Sequence, residues 1–190
     1  VLQHFEDEAG GFFFTADDHE QLIQRPKPVS DDALPSGNGV AALVFGRLGH
    51  LVGEPRYLDA AERTLKGAWP SVMQIPYAHN TLLLALDEVL SPPELIVLRG
   101  TPAQIGPWLA RCRLHYNPRR LVFPVPAQAG ELVGHLAQCA PRAEAVAYIC
   151  RDLSCSAPVT RLEELDAVLG QTEARTGGGP AHHRPESARD

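Results

Sequence analysis

Ser91-Pro92-Pro93 divides the chain into two stretches whose apolar residues repeat with different periods. Proline lacks the N–H that a helix interior needs and pushes the residue before it out of the helical region, so two in succession end one pattern and open another. Upstream, Val40, Leu43, Val44, Leu48, Leu51 and Val52 recur at three and four residues, the stripe of an amphipathic helix beginning at Gly39. Ser36 or Asn38 is its expected N-cap. Gly53 ends it, Pro55 suits the first turn of a second helix, and Leu58, Ala61, Leu65 and Ala68 carry the spacing to Trp69-Pro70, giving an αα-hairpin. Gly39, Ala41, Ala42, Gly46 and Gly49 would let a neighbouring helix approach closely. A third helix is expected from Tyr77 to Leu90.

Downstream of the prolines, short apolar runs alternate with helical patterns. Strands are expected at 94–100, 120–125 and 145–151, and helices near 102–113, 127–139 and 161–169. That β-α-β-α-β-α order predicts a small three-stranded parallel sheet. The reading gives a helical unit over 1–91, an α/β unit over 92–170 and a disordered, apolar-poor tail over 171–190. Within the first unit, GGFFFT at 10–15 suits a buried strand or extended segment entered through a turn. Residues 16–38, with three prolines and a closing PSGN, form a long loop. The opening Val1-Leu2-Gln3-His4-Phe5 reads as the end of a helix, and the chain as a fragment.

Composition narrows the function classes. The 190 residues are 44% hydrophobic and carry 17 Lys plus Arg against 23 Asp plus Glu, a net charge of -6. That balance disfavours both nucleic acid and acidic membranes as partners. The longest apolar runs, such as TLLLAL at 81–86, fall far short of the roughly 20 residues that cross a bilayer, so the chain reads as soluble and cytoplasmic. Four cysteines without paired C-x2-C knuckles predict reduced thiols, with no structural metal and no cofactor.

The densest titratable group is Asp17, Asp18, His19 and Glu20, followed on the same loop by Arg25, Lys27, Asp31 and Asp32. Neighbouring carboxylates can split their pKa values and divide acid and base roles, an imidazole titrates in the useful range, and carboxylates with a cation can hold a sugar. The plain alternative is a solvated loop whose charges pair locally. Ser36 and Asn38, at a glycine-rich helix start, suit either capping or contact with a ligand oxygen. His79, with Tyr77 and Asn80, can line a pocket at the start of the third helix or simply bond a helix end. Cys150 and Cys155, where the third strand leaves the sheet, are candidates for redox exchange, although C-x4-C is not the C-x-x-C of an oxidoreductase. The Gly100-Thr101-Pro102 turn lacks G-x-G-x-x-G, so no dinucleotide site is expected.

Residues 10–65, with the blocks ADDHE, RPK and PSGN, together with AYICRDLSCSAPVT at 147–160, resemble the thioredoxin-domain-containing protein family related to spermatogenesis-associated protein 20. The resemblance covers roughly residues 1–170. It implies a mixed α and α/β chain, the last helical hairpins of an (α/α)6 toroid of the six-hairpin glycosidase-like class followed by the small parallel α/β appendage. Its implied partners are a thioredoxin-like domain, the remaining toroid helices and a carbohydrate ligand. It also implies a carbohydrate-type cavity served by Asp17, Asp18, His19, Glu20, Arg25, Lys27, Asp32, Ser36 and Asn38. The leading expectation is therefore carbohydrate-active or epimerase-like chemistry on loop 16–38, and the alternative is a noncatalytic binding or redox-regulatory scaffold for the thioredoxin-like domain.

Overall fold

Ser36 starts the first helix, α1 (Gly37–Val52), with its hydroxyl accepting the Gly39 N–H at 3.0 Å. Gly53 closes it in the left-handed conformation, φ 67°, which a side-chain-bearing residue adopts only under strain. The computed structural model describes residues 1–20, 23–115, 117–151 and 154–170, together with the backbone of 171–176. Helix α2 (Pro55–Gln74) continues through Pro70, because Ala68 and Val72 stay buried on one face across the proline. The third helix, α3 (Asn80–Leu90), starts later than the spacing predicts, after a separate 3-10 turn at Pro76–Ala78.

Helix α1 lies against both α2 and α3. Small residues make this possible: a Cβ on Gly49 would stand 2.5 Å from a methyl of Leu58 on α2, and one on Gly39 would stand 2.8 Å from Thr81 on α3. Ala42, Leu65, Ala68, Val72, Leu82 and Ala85 form the shared core. Arg47 of α1 holds Glu88 of α3 through two hydrogen bonds, 2.8 and 2.5 Å. The N-terminal segment packs Phe12 against Phe45, beside Ala60 and Ala61. The segment expected at 10–15 is entered through a turn, with Gly10 and Gly11 at positive φ, but it makes only a single bridge between Glu6 and the buried Phe12 and forms no strand, and Phe14 is exposed.

The second half comprises β1 (Glu94–Gly100), α4 (Pro102–Leu114), β2 (Arg120–Pro126), α5 (Gly134–Gln138), β3 (Val146–Arg151), β4 (Ser154–Cys155) and α6 (Leu162–Thr176). Thr101 caps α4 in a capping box with Gln104. The sheet runs β2-β1-β3-β4; β1 and β2 are parallel, while β1 with β3 and β3 with β4 are antiparallel. Alternation along β1 splits the core. Ile96 and Leu98 face α4 and α6 with Trp108, Leu165 and Leu169, whereas Leu95 and Val97 face a second cluster with Tyr148, Cys150, Leu51 of α1 and Leu136 of α5.

Two fold expectations are corrected. The sheet is four-stranded and mixed, not three-stranded and parallel. Pro126 pairs with Gly100 and Val146 with Arg99, so β2 ends and β3 begins at the same end of β1. The link between them only steps across that end; a parallel third strand would need a full crossover helix, and α5 has five residues. Among the described residues α1 and α2 form a hairpin, but there is no toroid. Six α-helices and a mixed sheet form a small α/β arrangement among the described residues, and α1 packs against α2 and α3 and, through Leu51, reaches the cluster on one face of the sheet. The tail expected from 171 begins instead as a continuation of α6 to Thr176; 177–190 lie outside the described residues. Among the described residues no helix is long and apolar enough to cross a membrane.

Candidate functional site

Loop 16–38 ends at α1, and its polar residues divide into two sets. Asp17, Asp18, His19 and Glu20 stand in solvent. Asp17 pairs with Nδ1 of His4 at 2.8 Å, and that hydrogen bond holds its carboxyl below the usual range; Asp18 lies 3.9 Å from the same nitrogen. Asp32 is exposed as well. The acid and base expected to work in a cavity therefore face solvent.

The other set is committed to holding the loop. Arg25 donates to the Thr15 carbonyl at 2.8 Å and lies over the Phe13 ring, 4.2 Å from its centre. Lys27 donates to Asp7 and to the Gly10 carbonyl, both at 2.7 Å, and its hydrogen bond keeps the Asp7 carboxyl below its ordinary value. Asn38 is 2% exposed; its Oδ1 accepts from the Phe12 N–H at 2.6 Å, and its Nδ2 donates to the carbonyls of Phe12 and Pro28. Nδ1 of His79 donates to the Ile75 carbonyl at 2.8 Å, which leaves Nε2 to accept from the Ser30 hydroxyl at 3.2 Å. Asp31 accepts from the N–H groups of Ser36 and Thr81, each at 2.8 Å, and so joins the starts of α1 and α3. Ser36, Asn38 and His79 are thus a cap and two internal clamps, and Tyr77 and Asn80 stay at the exposed turn.

A groove of about 910 Å³ does lie beside the loop, between the N-terminal segment and α1. Its walls are mostly apolar, with Phe13, Phe14, Leu34, Val40 and Val44 among them; Ser36 and Asn38 of the expected site also line it, and none of Asp17, Asp18, His19 or Glu20 does.

The sulfur chemistry lies elsewhere. Cys150 and Cys155 are opposed in the β3–β4 ladder and joined by a disulfide, which corrects the expectation of reduced thiols at both. Cys150 is buried and Cys155, on the edge strand, half-buried. Cys139, 1% exposed, completes a group of three sulfurs within 4.8 Å of one another. Burial pushes the Cys139 thiol up, opposed by the charge of Arg99. Arg99 is itself 3% exposed, and its Nε and Nη1 have no hydrogen-bond partner among the described residues. Cys112, the remaining cysteine, faces α6 across the other side of the sheet, where burial pushes its thiol up to about 11.

Cys139 and Arg99 are the site residues that sequence reasoning missed. A signal for Arg99 is its place as the lone cation in ELIVLRG, since all seven residues of β1 are buried. No spacing rule joins Cys139 to Cys150, because the irregular link before β3 brings them together. No protein-family model matches the chain, and no curated protein matches it.

Proposed function

We propose that the chain is a noncatalytic, redox-responsive scaffold for a thioredoxin-like domain. The observation that carries this reading is the Cys150–Cys155 bond, which staples the two-residue edge strand β4 to β3. A dithiol opens such a bond in two balanced steps. Its first thiolate attacks Sγ of Cys155, forming a mixed disulfide and expelling Cys150 as a thiolate that takes up a proton. Its second thiolate then attacks the mixed disulfide, releasing Cys155 and leaving the dithiol oxidised.

Opening the bond changes structure as well as redox state. The staple closes a loop of sequence separation 5, a constraint worth about 2 kcal/mol by chain entropy. Without it, β4 keeps two register pairs, and the exchange of hydrogen bonds between Ala147 and Val159 still anchors the far end of the segment. The edge from 154 to 159 becomes the part of the sheet that reduction loosens.

The ADDHE, RPK and PSGN blocks support a thioredoxin-like partner through the family they resemble. A cytoplasmic setting suits the reading, since disulfides there are mostly transient and sensing. Acid–base chemistry on residues 17–20 has no comparable support, because those side chains face water.

Trapping tests the proposal. A thioredoxin-like protein whose second active-site cysteine is replaced by serine, incubated with the oxidised chain, is expected to form a mixed disulfide that peptide mapping places on Cys155. An intact Cys150–Cys155 bond with no adduct would contradict it.

A further inference from the structure

Cys139 takes no part in that exchange, yet its sulfur lies within 4.8 Å of those of Cys150 and Cys155. A thiol and a disulfide that close, beside α5 and against the sheet, are more than packing requires. The second observation is Arg99. Alternation along β1 places it on the same face as Leu95 and Val97, the face that carries Cys139, Tyr148 and Cys150. A guanidinium at 3% exposure with two unpartnered nitrogens is costly to bury unless an anion accompanies it. Among the described residues no carboxylate forms an ion pair with Arg99, and its charge acts on the thiol of Cys139.

We propose that, once the Cys150–Cys155 bond is reduced, Cys139, Cys150 and Cys155 bind one zinc(II) ion as three thiolates, with Arg99 as the buried counter-charge. The inference rests on the redox reading above and names what the reduced state does. Thiolates are soft ligands suited to zinc. Zinc–sulfur bonds of about 2.3 Å at tetrahedral angles set the sulfurs roughly 3.8 Å apart. The bonded pair must open by side-chain rotation, and Cys139 must close by about 1 Å from the 4.8 Å limit.

The charges and protons balance. A dithiol supplies two electrons and two protons to the disulfide, giving two thiols beside that of Cys139. Zinc binding releases three protons, one from each thiol. Three thiolates and one Zn²⁺ leave a net charge of −1, which the +1 of Arg99 offsets. A water molecule takes the fourth position, since no further His, Cys or carboxylate joins the group among the described residues. Bound zinc opposes re-formation of the disulfide, so the ion holds the scaffold in its reduced form.

The test uses the full chain, reduced anaerobically with a phosphine that bypasses any protein dithiol, and titrated with zinc(II) against a chromophoric chelator. One zinc per chain is expected, with affinity falling roughly 100-fold or more in Cys139→Ser and about 10-fold in Arg99→Met, while Cys112→Ser binds as the parent does. Cobalt(II) added to the unmutated reduced chain is expected to give thiolate-to-metal charge-transfer absorption, a readout independent of whether any variant folds. Absence of stoichiometric binding overturns the proposal, and so does binding that survives Cys139→Ser in a folded variant. Because reduction here is chemical, this result stands apart from the trapping result: failure of one leaves the other readable.

Discussion

Asp31 does more for the fold than the four acidic and imidazole side chains that dominate its loop. One carboxylate accepts the N–H of Ser36, at the start of α1, and that of Thr81, in the first turn of α3. Burial pushes its pKa up, but those hydrogen bonds outweigh burial and hold the carboxyl below its ordinary value. A depressed folded-state pKa contributes stability that is complete above the unfolded value, about 4, and is lost as the pH falls through the folded value. Asp31→Ala is therefore expected to cost about 2 kcal/mol at neutral pH. In denaturant titrations the gap between parent and variant should narrow as the pH drops below about 4. A constant gap would assign the loss to packing. The sequence reveals Asp31, Asn38 and His79 as polar groups near helix starts, but one partner of each lies 26 to 50 residues away: Phe12 for Asn38, Ser30 for His79 and Thr81 for Asp31. Local pattern carries no information on contacts of that range.

Helices α1 and α2 are the elements most readable in advance, because an amphipathic period, a capping serine, a terminating glycine and an N1 proline all point the same way. Their close contact turns on Gly49. A Cβ there meets Leu58 at 2.5 and 2.6 Å in its side chain and at 3.1 Å at its backbone nitrogen. Gly49→Ala gains about 1 kcal/mol in helix propensity but pays overpacking of about 1 to 3 kcal/mol. A net loss of about 1 kcal/mol is expected in thermal or chemical unfolding, and a stabilised variant would show that the hairpin opens at little cost. The direction of β3 is not readable in the same way. A short apolar run between helical patterns looks alike whether the chain crosses the sheet or turns back. Here only Gly134–Gln138 of the link is helical, five residues, too few to carry the chain along the sheet.

At the scale of the molecule, the helical and α/β halves share a surface. Leu51 of α1 packs into the sheet cluster that holds Cys139 and Cys150. A Cβ on Gly134 of α5 would lie 1.4 Å from the Val52 carbonyl oxygen, so α5 rests against the end of α1. Asp87 of α3 also pairs with Arg119, just before β2. The sulfur group therefore sits where the halves meet, and in the proposed scaffold a change in its redox state would act on the edge strand and on the face shared with α1. The most direct measurement is differential alkylation with mass mapping after equilibration with a reduced thioredoxin-like dithiol. Cys150 and Cys155 are expected to become labelled together while Cys112 stays protected, with stability falling by about 2 kcal/mol between oxidised and reduced chains. Labelling that never reaches this pair, or that reaches it with no change in stability, would contradict a disulfide that works as a switch.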